Sequence, residues 1–157
     1  VLLGGLLELA GTKPNIDIPI KAKYMIKDCK LWAEKYKTSF KFNNYFPIFT
    51  LNLMRCALVA EDKGFDKIFI NKIFDSIWKN DLNLNNSTVV EELLKDLDIN
   101  VKTFLMEAAD EKIKNELKKR TADAFIKGIF GTPSFVVNNK IFWGQDRLEF
   151  VINEAKK

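Results

Sequence analysis

The chain has 157 residues, 47% hydrophobic and 29% charged, which is enough to bury a core and too apolar for a disordered or low-complexity protein. Lys+Arg 25 against Asp+Glu 21 leaves a net charge of +4, an excess that favours small anions but is too mild to point to nucleic acid. There is no histidine, which removes Ser-His-Asp and Cys-His catalysis, an imidazole base and any His-ligated metal.

In chain order, the apolar start at 1–3 ends at Gly4-Gly5 and fits either a buried strand end or a helix start. It is too short and glycine-broken for a signal peptide. No apolar run approaches the ~20 residues of a membrane helix. Gly11-Thr12-Lys13-Pro14-Asn15 is loop chemistry, extended by Pro19. Residues 21–36 read as a helix carrying Tyr24, Ile26, Leu31 and Trp32, followed by an irregular stretch at Asn43–Pro47. Thr50 is placed to cap a helix over Leu51–Asp62, with Gly64 as its left-handed end. Asp66 is placed to cap the next, where Phe69, Ile70, Ile73, Phe74, Ile77 and Trp78 recur at three- and four-residue spacing as a core stripe.

Thr88-Val89-Val90-Glu91 has the form of a capping box before Leu93, Leu94 and Leu97. A helical run is expected over about 101–127, its later apolar face made by Ile113, Leu117, Ala124 and Phe125. The charges at 112–120 alternate in sign, so they form a solvated helix face. At Gly128 the character changes. Ser134–Val137 is β-rich, Asn138-Asn139 suits a tight primed turn, and Ile141-Phe142-Trp143 returns as the second strand. Gly144 breaks that strand, and 145–155 reads as a closing amphipathic helix.

The two cysteines, Cys29 and Cys56, lie far apart with no CxxC. They read as reduced thiols of a cytoplasmic protein, which excludes a disulfide scaffold and a four-thiolate zinc site.

Two stretches carry possible chemistry. In Phe130-Gly131-Thr132-Pro133-Ser134, a proline with no amide hydrogen heads a strand. A cis bond there would turn the Thr132 backbone outward, its amide and carbonyl open to a peptide-like ligand. In Trp143-Gly144-Gln145-Asp146-Arg147, a strand joins a helix start directly. The first amides of that helix suit a carboxylate, and Asp146 suits an ammonium, so an amino-acid head would satisfy both.

Taken together, Phe130–Val137 and Phe142-Trp143-Gly144-Gln145-Asp146-Arg147-Leu148 resemble the 2-hydroxychromene-2-carboxylate isomerase family. That family is similar to kappa-class glutathione transferases and belongs to the DsbA-like branch of the thioredoxin fold. Leu2–Leu7, Gly11–Pro14, Lys21–Tyr24 and Asp28 also look like its pattern. The resemblance implies an α/β, thioredoxin-like domain over 1–157. Within it, 13–119 would be an all-helical insertion, and 1–12 with 120–157 the thioredoxin part.

The resemblance implies a cis bond before Pro133 and glutathione as cofactor. Thr132 would offer its backbone to the cysteinyl unit, Gln145 and Asp146 would hold the γ-glutamyl head, and Lys21 would lie near the glycine carboxylate. Thr12 stands where relatives often carry Asn. The substrate implied is an unsaturated aromatic pyruvate derivative, isomerised by reversible thiol addition. The family's Ser-Pro-Tyr-type motif has no counterpart here, so no catalytic residue is assigned, and Ser39, Ser76, Ser87 and Ser134 are not substitutes. The chain accordingly reads as N-terminally truncated. Two alternatives stay open: a DsbA-like protein disulfide oxidoreductase whose redox pair would lie in the missing N-terminal unit, and a non-enzymatic role, either as an inactive remnant or as a helical interaction module whose phenylalanines serve a homodimer.

Overall fold

The computed structural model describes residues 1–157. The chain divides into two compact units, one made of residues 1–14 and 116–157, the other of residues 15–115. The elements are α1 (Leu3–Leu9), α2 (Pro19–Tyr36), α3 (Leu51–Asp62), α4 (Asp66–Trp78), α5 (Ser87–Lys95), α6 (Val101–Ala108) and α7 (Glu111–Ile126). They are followed by β1 (Ser134–Val137), β2 (Lys140–Trp143) and α8 (Leu148–Ala155). The unit boundary falls inside α7.

In the unit of residues 15–115, Leu53, Cys56, Leu58 and Val59 on α3, Phe69, Ile73 and Ile77 on α4, and Phe104 on α6 are buried. The Phe104 ring meets Phe65 and Phe69 with centroids 5.7 and 5.8 Å apart. The stripe expected on α4 divides. Phe69, Ile73 and Ile77 recur every fourth residue and are buried, while Ile70 and Phe74 stand exposed on the next ridge. The loop between α2 and α3 is pinned by Asn43, whose buried amide donates to the carbonyls of Ile77 and Leu82, both at 3.0 Å. Around it, Phe40, Phe42 and Phe46 gather against Trp78.

Three helix starts differ from the sequence expectation. Thr50 sits before α3 but caps nothing with its side chain, and Phe65 rather than Asp66 precedes α4, so Asp66 supports the helix dipole from the first turn. No capping box forms at Thr88. Asn86 takes that place, its side-chain oxygen accepting from the Thr88 amide at 2.9 Å. The continuous run expected over 101–127 is two helices, because α6 ends at Ala108 and Asp110 then accepts from the Lys112 amide at 2.7 Å to start α7. At the helix ends, Gly64 closes α3 in the left-handed region as expected, and Lys37 closes α2 the same way without glycine.

In the other unit, the start of the chain is helical. The Leu2 amide donates to the Thr121 hydroxyl at 3.0 Å, which ties α1 to α7. The strands pair antiparallel, with Phe135 opposite Phe142 and Val136 opposite Ile141. Asn138 and Asn139 both have positive φ (49° and 60°), the primed two-residue turn that matches strand twist. The closing segment begins as a 3-10 turn, Gln145–Arg147, before α8.

Candidate functional site

The site is built where β1 begins and β2 ends. The Gly144 amide donates to the Pro133 carbonyl at 2.9 Å, so the register that pairs Ser134 with Trp143 sets Thr132 and Pro133 beside the turn at 144–146. The Thr132–Pro133 peptide bond is cis, and so is Phe46–Pro47. Ser134 turns its hydroxyl back to the Gly131 carbonyl at 2.7 Å. The Trp143 ring stacks at a tilt on Phe130, centroids 4.9 Å apart. It also lies so close to Gly131 that a Cβ there would come within 2.9 Å of the indole nitrogen. A side chain at 131 would have to push the indole aside.

Gly144 is constrained differently. Its backbone, φ 107° and ψ 147°, lies in a region that side chains rarely enter, and a Cβ would come within 2.5 Å of Asp146 Oδ1. The carboxylate of Asp146 is therefore folded over a residue that has no side chain. It is half-exposed and ion-paired with the Arg147 guanidinium.

Several polar groups around this corner are unpaired within the chain. Neither the amide nor the carbonyl of Thr132 is hydrogen-bonded. The side chain of Gln145 has no partner, and the amides of Gln145 and Asp146 are the unsatisfied first amides of the turn. Donors and an acceptor thus face a carboxylate-compatible helix start on one side and a peptide-compatible backbone on the other, which fits an extended peptide ending in an amino-acid head.

Thr12 and Lys21 do not join this corner in any hydrogen bond of the chain. Thr12 is exposed, and its hydroxyl donates to the Leu7 carbonyl at 3.4 Å, so it extends the end of α1. Lys21 belongs to the other unit. It is exposed on α2 and borders an open hollow with Asn15, Tyr24 and Asp28. The sequence offered no signal for Trp143 as the wedge against Gly131, because that contact depends on strand pairing.

Burial raises the Cys29 thiol above its ordinary value, assisted by the negative charge of Asp28. Burial pushes the Cys56 thiol up to about 11. No group of three or more His, Cys, Asp and Glu side chains is arranged to hold a metal ion. No helix is long and apolar enough to cross a membrane.

A DsbA-like thioredoxin domain model matches residues 1–155. The chain belongs to that family. Its relatives include the 2-hydroxychromene-2-carboxylate isomerase of Sphingobium xenophagum, 26% identical over 137 residues, covering 87% of this chain and 69% of that protein. Glutathione S-transferase kappa 1 of Rattus norvegicus is 23% identical over 164 residues, covering 96% of this chain and 73% of that one. Among solved structures, a 2-hydroxychromene-2-carboxylate isomerase superposes with a TM-score of 0.81 at 17% identity, over 98% of this chain and 75% of the other. The fold is therefore the DsbA-like thioredoxin fold. This family member pairs a small two-stranded sheet with a mostly helical chain, and its named relatives include isomerases.

Proposed function

We propose that this DsbA-like protein is a glutathione-dependent isomerase acting on an unsaturated aromatic pyruvate derivative. The observation that carries the reading is the unpaired Thr132 backbone held beside Gln145 and Asp146 by the Pro133–Gly144 hydrogen bond. In this reading the Thr132 amide and carbonyl pair with the cysteinyl unit of glutathione. The first amides of the 145–147 turn and the Gln145 side chain take the γ-glutamyl carboxylate, and Asp146 takes the ammonium. Arg147 holds the Asp146 carboxylate in place until the ammonium arrives. Bound glutathione supplies the thiol that adds across a conjugated double bond, permits rotation about the resulting single bond, and is eliminated unchanged.

An external thiol suits a chain without histidine or CxxC whose own cysteines are held protonated by burial. Titration of the folded protein with glutathione in a calorimeter tests the proposal. Saturable binding that Asp146→Ala and Gln145→Ala each weaken about tenfold, roughly 1.4 kcal/mol, is the expected result. Absence of binding, or equal affinity in the Asp146→Ala variant, rejects it.

A further inference from the structure

The helical unit contains a gap in its packing between α3, α5 and α6. It is a cavity of about 420 Å³, within the ~300–1,000 Å³ range of small-molecule sites. We propose that this cavity, walled by α3, α5 and α6, is a second binding site that takes a small protonated aromatic amine.

The reason for the gap is visible in the packing. Helix α3 packs on α6 and α6 on α5, and the residues presented there are small: Cys56 from α3, Ala108 and Ala109 from the end of α6. The interior is apolar, with Leu53, Leu84 and Ala108 buried along it. At the mouth stands Phe49, with 79% of its surface exposed. Its backbone is fixed, the amide donating to Asn85 Oδ1 at 2.9 Å while Asn85 Nδ2 donates to the Tyr45 and Pro47 carbonyls. A large ring held at the edge of an apolar hollow by its backbone offers a stacking face to a second ring.

The rim sets the charge of the ligand. Asn85 is fully committed to the loop, and Asn52 accepts from the Arg55 guanidinium at 3.1 Å. Ser87 and Glu91, both solvent-exposed, have no partner within the chain and stand one turn apart on α5 with Val90 between them on the same wall. Neither enters a hydrogen bond or ion pair within the chain, whereas Glu92, the next residue, is paired with Lys95. An unpaired carboxylate beside an unpaired hydroxyl, above an apolar floor, selects a cation that donates hydrogen bonds and carries a ring. The Phe49 face adds a cation–π contribution.

Calorimetry with 1-naphthylmethylamine and its neutral analogue 1-naphthalenemethanol tests this. The amine is expected to bind saturably and at least tenfold more tightly than the alcohol. Glu91→Gln should erase that preference, and Ala109→Trp, which fills the mouth from an exposed position, should abolish binding of both. In a Cys29→Ser background the bound amine should slow maleimide alkylation of Cys56, a readout that stands even if the tryptophan variant misfolds. Glutathione should not displace the amine, and failure of glutathione binding alone leaves this site intact. The proposal is overturned by any of four results on folded protein: no saturable binding, equal affinity for amine and alcohol, an unchanged preference in Glu91→Gln, or competitive displacement by glutathione.

Discussion

The two units differ in where they place their apolar side chains. In residues 15–115, thirteen apolar residues are buried, from Leu53 to Ile113. In residues 1–14 and 116–157 only Leu6, Leu117 and Ala124 are, while Phe130, Val136, Trp143, Phe150 and Ile152 stand substantially exposed. The first unit is a packed scaffold. The second holds its shape through turn geometry, a short ladder and a few polar ties. It keeps unpaired backbone groups at the corner formed by Thr132 and the 145–147 turn. In the proposed function, glutathione would be held by the less densely packed of the two units, in keeping with functional regions being drawn from the less stable end of a fold.

Four substitutions sharpen or break that contrast. The largest effect is expected from Phe104→Ala, which removes a ring that is 2% exposed and touches two others. Urea denaturation should show a loss of about 3–5 kcal/mol, and a loss below 1 kcal/mol would deny the helical unit its role as scaffold. Gly144→Ala comes next, at about 1–3 kcal/mol for the strained backbone. Because the new Cβ displaces Asp146, glutathione affinity should fall with it. Retained affinity would show that the carboxylate's position does not matter. Gly64→Ala, left-handed at φ 79° but with open space around it, is expected to cost about 1 kcal/mol and to leave glutathione affinity unchanged.

The smallest effect is expected at Glu154, and it depends on pH. This buried carboxylate receives Lys140 at 2.9 Å and Lys157 at 3.0 Å, and Asn138 donates to its backbone carbonyl at 3.0 Å, so it ties the hairpin to α8. Hydrogen bonds from Lys140, then Lys157, hold its pKa down to about 2, against an ordinary 4.5. A depressed carboxylate stabilises the fold above its unfolded pKa and loses that contribution as pH falls through the folded one. Thermal melts of the protein and of Glu154→Gln should therefore differ most above pH 4.5 and converge near pH 2. A constant gap down to pH 2 would mean the charge is not what matters. In the helical unit, Lys41 and the Asn44 amide lower Asp81 in the same way.

Much of the fold was legible. Thr50 and Gly64 bracketed α3, three- and four-residue spacing located α4, Asn138-Asn139 located the primed turn, and Gly144 marked the end of β2. Helix boundaries were less so. Asn86 outcompeted Thr88 as a cap, and Asp110 interrupted a run whose apolar period continued through it. Both are choices between nearby side chains of similar propensity, and packing decided them. Lys37 takes the left-handed cap of α2 with no glycine to announce it.

At the candidate site, the strings around Pro133 and Gln145-Asp146 are two stretches that the strand pairing brings side by side. They did not show that Thr12 spends its hydroxyl on Leu7, that Asp146 pairs with Arg147, or that Trp143 closes on Gly131. By itself, then, the sequence determined family membership and the helix–hairpin–helix order, because those follow from residue identity and spacing along the chain. Tertiary structure alone decided which polar groups remain unpaired and where the helices fail to meet. Those outcomes depend on contacts between residues far apart in the chain, such as Asn43 on Ile77 or Cys56 facing Ala108, and no local pattern encodes them.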